Sequence, residues 1–312
     1  MVTDLQNGNG SPRQGRHSGE EDTFSSIVVP RLGCPIWASP QWRGNLYSAG
    51  ATTNDFLREY CRVFECVEGN ITFYTLPSTE VVDRWCDATP EGFHFCFKFP
   101  RVVTHERVLV GAERETEAFF SLMERLLGRL GPLLLQLPPS FAPWQLAALD
   151  RYLAALPSRF TYAVEVRHRA WFGEGEGELN SLLEEHGVAR GLMDTRALHA
   201  AKKTDPTTIT AQGRKPKVPW CTVVNSGLPF VRIVGQNDVR STTGYLDQWA
   251  DVVAAWLEKG WAPYLFFHAP NDYFAPRLAR AFHFLLRRRV PKLPEHPEWP
   301  GESSGSLQLE LL

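Results

Sequence analysis

The chain of 312 residues contains no run of 18 uninterrupted apolar residues, so no membrane-spanning helix and no membrane partner are expected. Its first segment, MVTDLQNGNGSPRQGRHSGEED, lacks the apolar stretch of a secretion signal, which points to a soluble, cytoplasmic protein. Neither charge sign is in excess. With 33 basic and 35 acidic side chains and a formal net charge of −2, the overall balance does not announce a nucleic-acid binder. The six cysteines (Cys34, Cys61, Cys66, Cys86, Cys96 and Cys221) show neither CxxC spacing nor a Cys/His cluster, so they read as reduced core residues rather than zinc ligands. No GxSxG occurs, and no GxGxxG follows the first expected strand. Serine-nucleophile and dinucleotide-binding readings therefore lose their usual signatures.

What is present is a rhythm. Residues 1–25 are too polar to fold and are expected to be a disordered tail, as is the Pro-rich stretch 291–312. Between them, over 26–290, eight short apolar runs alternate with amphipathic segments: GCPIWA (33–38), RVFECVEG (62–69), FHFCFKF (93–99), PLLLQL (132–137), TYAVEVR (161–167), ARGLMDT (189–195), FVRIVG (230–235) and PYLFFH (263–268). Most are continuously apolar, the pattern of parallel strands covered on both faces. The intervening segments carry helical spacing, with ends marked by Gly187 and Gly260. The fold class expected is α/β, a single (β/α)8 TIM barrel, with an open doubly wound sheet as the rival. Two connections are long: SPQWRGNLYSAGA after the first strand, and residues 197–228 after the sixth. The second holds Lys202, Lys203, Arg214, Lys215 and Lys217 and is expected to lie over the barrel mouth as a lid.

A barrel brings the carboxyl ends of its strands to one rim. Glu68, Asn70 and Thr72 fall there after the second strand, Lys98, Thr104 and His105 after the third, and Gln136 at the end of the fourth. Glu165 and Arg167 close the fifth strand, Asp194 and Arg196 the sixth. Arg232 lies in the seventh, and His268, Asn271 and Asp272 follow the eighth. One such residue is an ordinary hydrogen-bond partner, but acids, bases and amides gathered at the same end of nearly every strand point to a site.

The segments FECVEGNITFYTLPS, HFCFKFPRVVTH, GPLLLQLPPSF, YAVEVRHRAWF and FVRIVG, in this order, resemble the family catalogued as domain of unknown function 72, the YecE-like proteins, from about Gly33 to Arg288. The resemblance implies a TIM barrel and no established activity. It places the family pattern on Glu68, Asn70, Thr72, Tyr74, Lys98, His105, Gln136, Glu165, Arg167, His168, Trp171, Asp194, Arg232 and Gly235. Two departures stand out: Val234 where the family carries a histidine, and His268 where it carries an amide.

Lys98, Arg167 and Arg232 would make a positive mouth suited to carboxylate or phosphate. The leading expectation is an enzyme acting by acid–base chemistry, hydrolytic, isomerising or eliminating, on a small anionic or polyhydroxylated molecule. Glu165 is the first candidate for acid or base, with Glu68, Asp194, His105 and His268 beside it. Lys98, Arg167, Arg232, Gln136, Asn70, Tyr74, Trp171 and Trp42 are the candidate binding residues. The bland counterpart is that Glu165 and Arg167, two apart on a strand, form a buried ion pair. No cofactor is expected. A divalent metal on Glu68, Glu165, Asp194 and His268 is the weaker alternative, because no metal-binding motif occurs and neighbouring cations would repel the ion. The rival function is nucleic-acid binding or processing, with the basic 202–217 segment on the backbone and Trp37, Trp42, Tyr47, Phe73, Tyr74 and Trp171 as stacking platforms.

Overall fold

A computed structural model describes residues 28–302; the tail expected over 1–25 lies outside the described residues. Eight parallel strands follow one another in the chain: β1 (Arg31–Cys34), β2 (Cys66–Gly69), β3 (His94–Phe97), β4 (Leu133–Gln136), β5 (Tyr162–Glu165), β6 (Ala189–Asp194), β7 (Phe230–Val234) and β8 (Tyr264–His268). They pair in the order β3-β2-β1-β8-β7-β6-β5-β4. Parallel bridges Phe95↔Leu130 and Lys98↔Leu134 then join β3 to β4, so the sheet closes on itself. A doubly wound sheet, which keeps two free edges, is excluded. The helices are α1 (Phe56–Tyr60), α2 (Ile71–Tyr74), α3 (Thr79–Ala88), α4 (Glu113–Met123), α5 (Leu146–Ala154), α6 (Glu176–Glu185), α7 (Arg196–Ala200), α8 (Pro206–Arg214), α9 (Val239–Glu258) and α10 (Ala275–Arg287).

All eight expected strands form, but the first is displaced. It occupies 31–34 instead of 33–38, because Pro35 has no amide hydrogen to continue the ladder. Gly187 and Gly260, at φ +63° and +74°, follow α6 and α9 in the left-handed conformation that closes a helix without a Cβ clash.

Alternation along each strand builds two cores. Outward residues such as Val67, Phe95, Leu135, Val164, Leu192, Val231 and Leu265 bury themselves beneath the helices. Inward residues Cys66, Cys96, Leu134, Ala163, Phe230, Tyr264 and Phe266 plug the barrel interior. Each large buried side chain contributes roughly 1.5–3 kcal/mol of transfer free energy. All six cysteines are free thiols.

The C-terminal stretch needs a correction. Residues 291–302 are not a loose tail: Leu293 and Trp299 are buried, and Glu302 accepts two hydrogen bonds from Arg280 at 2.6 Å each. Proline prevented a helix there but not packing. Residues 303–312 lie outside the described residues.

Candidate functional site

One step up each strand from the apolar plug, the same inward register carries polar side chains. Glu68 follows Cys66, Lys98 follows Cys96, Gln136 follows Leu134, Glu165 follows Ala163, Arg232 follows Phe230 and His268 follows Phe266. All six are buried. Arg232 is their hub. It donates from Nε and Nη2 to Glu68 Oε2 (2.6 Å) and Oε1 (2.9 Å), and from Nη1 to Glu165 Oε2 (2.7 Å). Gln136 Nε2 and Arg167 Nε donate to the other Glu165 oxygen at 2.8 and 2.9 Å. His268 Nε2 donates to Glu68 Oε2 at 3.1 Å. The Lys98 ammonium stands 3.6 Å from Glu68 Oε1, beyond hydrogen-bond range, and 5.4 Å from the centre of the Phe73 ring.

These contacts set the charge states. Burial alone would push the Glu165 carboxyl up, but Arg232, Arg167 and Lys98 outweigh it and hold it down at about 2. Glu68 is likewise held well below the usual range against its burial by Arg232, His268 and Lys98. Burial, aided by Arg232, lowers Lys98 to about 7 even though Glu68 and Glu165 pull the other way. Both histidines are pushed down chiefly by burial, His105 to about 4 and His268 to about 3. They are neutral imidazoles at physiological pH, which removes the expected proton shuttling by an imidazolium near neutrality.

Several expected site residues lie elsewhere. Asp194 faces the opposite side of β6, where it accepts from Arg196 (2.8–3.1 Å) and from Trp249 Nε1 (2.8 Å). The strand's two-residue period puts position 194 outward, with Arg190 and Leu192. Trp42 and Trp171 are fully buried. Their indoles donate to the Asp272 and Phe141 carbonyls at 3.0 and 2.7 Å, so neither forms an open platform, and Tyr47 is buried too. Tyr74 is 77% exposed and packs edge-on against Phe73. Asn70 ties α2 to Pro35 O (3.0 Å), and Thr72 steadies the site from behind by donating to Lys98 O (2.6 Å). His105 sits at the edge of the mouth on a wide helical turn (Val102–Glu106), bonded to Thr104 Oγ1 (2.8 Å). That loop ends in Val108 and Leu109 at φ +49° and +68°, a strained pair, since a β-branched residue rarely takes a positive φ.

Two groups of the mouth escaped selection as site residues in the sequence. The 197–228 connection folds into α7 and α8, and from the end of α8 the Lys215 ammonium reaches over the inner tier. Part of its stem is exposed, but its charged end is enclosed and lowered to about 8, first by burial and then by Arg232. Asp272, after β8, is half-buried; burial raises its carboxyl while Lys215 draws it back down. Among the described residues neither ammonium nor carboxylate has an ion-pair partner within 4 Å. A signal for Lys215 did exist: Thr208, Ala211 and Lys215 fall on one helical face, and Thr208 and Ala211 are buried. The neighbouring Lys202, Lys203, Arg214 and Lys217 are exposed.

Nitrogen donors dominate this mouth. Among the described residues no three His, Cys, Asp or Glu side chains converge as metal ligands do. The oxygens of Glu68 and Glu165 are occupied by nitrogen donors. Fold and mouth together define a TIM barrel of α/β class with a cation-rich polar tier at the carboxyl ends of its strands. The chain belongs to the family described as "Protein of unknown function DUF72", which it matches over residues 31–302. It is 38% identical over 275 residues to the UPF0759 protein YecE of Escherichia coli (strain K12), covering 88% of this chain and 98% of that one. It is 24% identical over 169 residues to the UPF0759 protein YunF of Bacillus subtilis (strain 168), covering 48% and 60%. Among solved structures, a DUF72 family protein from Thermotoga maritima MSB8 superposes with a TM-score of 0.63 at 22% identity, covering 85% of this chain and all of that one. One from Enterococcus faecalis V583 gives 0.63 at 19%, covering 86% and 99%. The two departures from the family pattern noted in the sequence are register partners, Val234↔His268. The imidazole of this chain thus stands one strand over, while Val234 packs beneath Leu198 and Ala211 of α7 and α8.

Proposed function

We propose that the mouth is an enzyme site for a small anionic molecule, worked by acid–base chemistry. The observation that carries this is a charge imbalance. Four cations, Lys98, Arg167, Lys215 and Arg232, converge on two ionised carboxylates, Glu68 and Glu165. Counting Asp272 as ionised still leaves a cation over whenever Lys98 is protonated. Buried structural ion pairs are costly unless each charge is matched, so a surplus of enclosed cations stands ready for a ligand oxyanion. Arg167, with one nitrogen on Glu165 and its side chain 14% exposed, has guanidinium donors left for a carboxylate or phosphate.

The proton-transfer roles shift within the tier. A carboxylate at about 2 that already accepts three hydrogen bonds is a poor base near neutral pH, so Glu165 and Glu68 orient Arg232 and Arg167 rather than move protons. Groups poised near pH 7 are Lys98 and Lys215. The nucleic-acid reading keeps its exposed basic residues on the lid, but three of its intended stacking rings, Trp42, Tyr47 and Trp171, are buried.

The test is thermal denaturation at pH 7.5 with inorganic phosphate, malonate or chloride at matched ionic strength. Saturable stabilisation by phosphate or malonate is expected, approaching about 2.7 kcal/mol at a hundredfold excess over Kd. No difference from chloride would sink the reading.

A further inference from the structure

Lysine is the scarce cation of this chain: seven residues against 26 arginines. Yet two of the seven, Lys98 and Lys215, turn their charged ends into the barrel mouth. The distinction is chemical. Arginine stays protonated and can only bind, whereas a desolvated lysine beside another cation yields a free amine, the nucleophile of imine chemistry.

The surroundings of Lys98 suit that role. Its backbone is pinned at the rim, the amide donating to Gly69 O (3.2 Å) and the carbonyl accepting from Thr72 Oγ1 (2.6 Å). Its amine is not committed: the nearest carboxylate oxygen, Glu68 Oε1, lies 3.6 Å away and already accepts from Arg232 at 2.9 Å. The fixed guanidinium of Arg232 disfavours a second positive charge beside it, and the residue keeps 6% exposure, enough to face the mouth. Arg167 and Lys215 converge on the same tier: Arg167 acts electrostatically on Lys98, and Lys215 feels Arg232, Glu68, Arg167 and Glu165.

Building on the anion-site reading, we propose that Lys98 forms an imine with a small carbonyl compound whose carboxylate or phosphate is held by Arg167 and Lys215. The Lys98 nitrogen lone pair forms the new bond to the carbonyl carbon, and the carbonyl oxygen leaves as water. That water carries one hydrogen from the Lys98 nitrogen and one from the Lys215 ammonium. A protonated imine and a neutral Lys215 remain. No oxidant or reductant takes part, and the electron-poor imine activates the adjacent carbon for proton removal.

The test is reductive trapping of the full chain at pH 7 with sodium borohydride, using pyruvate for the oxo-acid arm and pyridoxal 5′-phosphate for the phosphorylated-aldehyde arm, followed by intact mass and peptide mapping. The expected result is one adduct per chain, on Lys98, at least about tenfold above Lys202, Lys203, Lys259 or Lys292, because those four side chains are exposed to water and burial favours the uncharged amine. The arm that labels more strongly names the anionic group. Lys98→Arg should abolish the adduct, and Lys215→Met should weaken it without moving it. Labelling that falls only on surface lysines, in a protein still stabilised by phosphate, overturns the imine and leaves the anion site standing. Loss of both responses overturns both.

Discussion

Two buried arginines on adjacent strands, Arg190 of β6 and Arg232 of β7, differ by which face of the sheet they occupy. Arg190 points outward. It donates to Glu176 Oε1 (2.7 Å) and Asn180 Oδ1 (2.9 Å) on α6 and to the Trp171 carbonyl (3.2 Å). Outward Asp194, two turns of the pleat further along, is matched by Arg196 alone. Each of these two outer pairs therefore joins one cation to one anion and fastens a helix or turn to the sheet. Inside, Arg232 spans two carboxylates and three more cations crowd the same tier. Equal burial with unequal charge matching separates a structural ion pair from a recognition surface.

Truncation should widen this contrast most. Arg232→Met leaves Glu68 and Glu165 enclosed without their shared donor, and a loss of about 3–5 kcal/mol in urea unfolding is expected. Arg190→Met should cost less, about 1–2 kcal/mol, because its partner Glu176 is 32% exposed and can turn to water. Equal losses would mean that the two faces are energetically alike.

Glu165→Gln sharpens the comparison through pH. The folded carboxyl is held at about 2 against an ordinary 4.5, so its ionisation stabilises the fold above pH 4.5, and that contribution fades as pH falls from 4.5 towards 2. The variant should lose about 3 kcal/mol at pH 7 and show a shallower acid decline across that window. Asp194→Asn, on the outer face, offers the control: it should leave phosphate affinity untouched. Arg167→Met should weaken phosphate affinity about tenfold, or about 1.4 kcal/mol, as read by calorimetric titration.

The sequence pointed to eight parallel strands because continuous apolar runs at regular spacing suit strands buried on both faces; closure into a barrel over the open-sheet rival is decided by the bridges between β3 and β4. It also announced most of the inner tier, since Glu68, Lys98, Gln136 and Glu165 each interrupt such a run near its end and Arg232 interrupts one in its middle. Facing was harder to read. Asp194 interrupts its strand in the same way, but only the strand's phase, fixed by Arg190 reaching α6 on its outer side, shows that it points away from the mouth. Trp42 and Trp171 were misplaced for another reason. An aromatic in a loop packs inward or outward according to tertiary neighbours, and the carbonyls of Asp272 and Phe141 that capture their indoles are far away in sequence. Lys215 was hidden among four similar residues, and only the docking of α8 on Val234 singles it out.

That docking leads to the smallest effect, which probes the surplus cation itself. Lys215 carries a folded-state pKa of about 8 against an ordinary 10.5. Between those values the unfolded chain binds the extra proton, so wild-type stability should rise with pH from about 8 to 10.5; below pH 8 the penalty of holding the ammonium in the mouth is fully present. Lys215→Met removes the penalty. It should therefore stabilise the protein at pH 7 by about 1 kcal/mol, a figure reduced for the part of the side chain open to solvent, and flatten the alkaline rise. The same variant should respond less to phosphate, because the anion would lose the cation that most needs it. A residue whose removal strengthens the empty fold and weakens the filled one is placed there for its ligand; a variant destabilised at pH 7 would instead mark Lys215 as part of the scaffold.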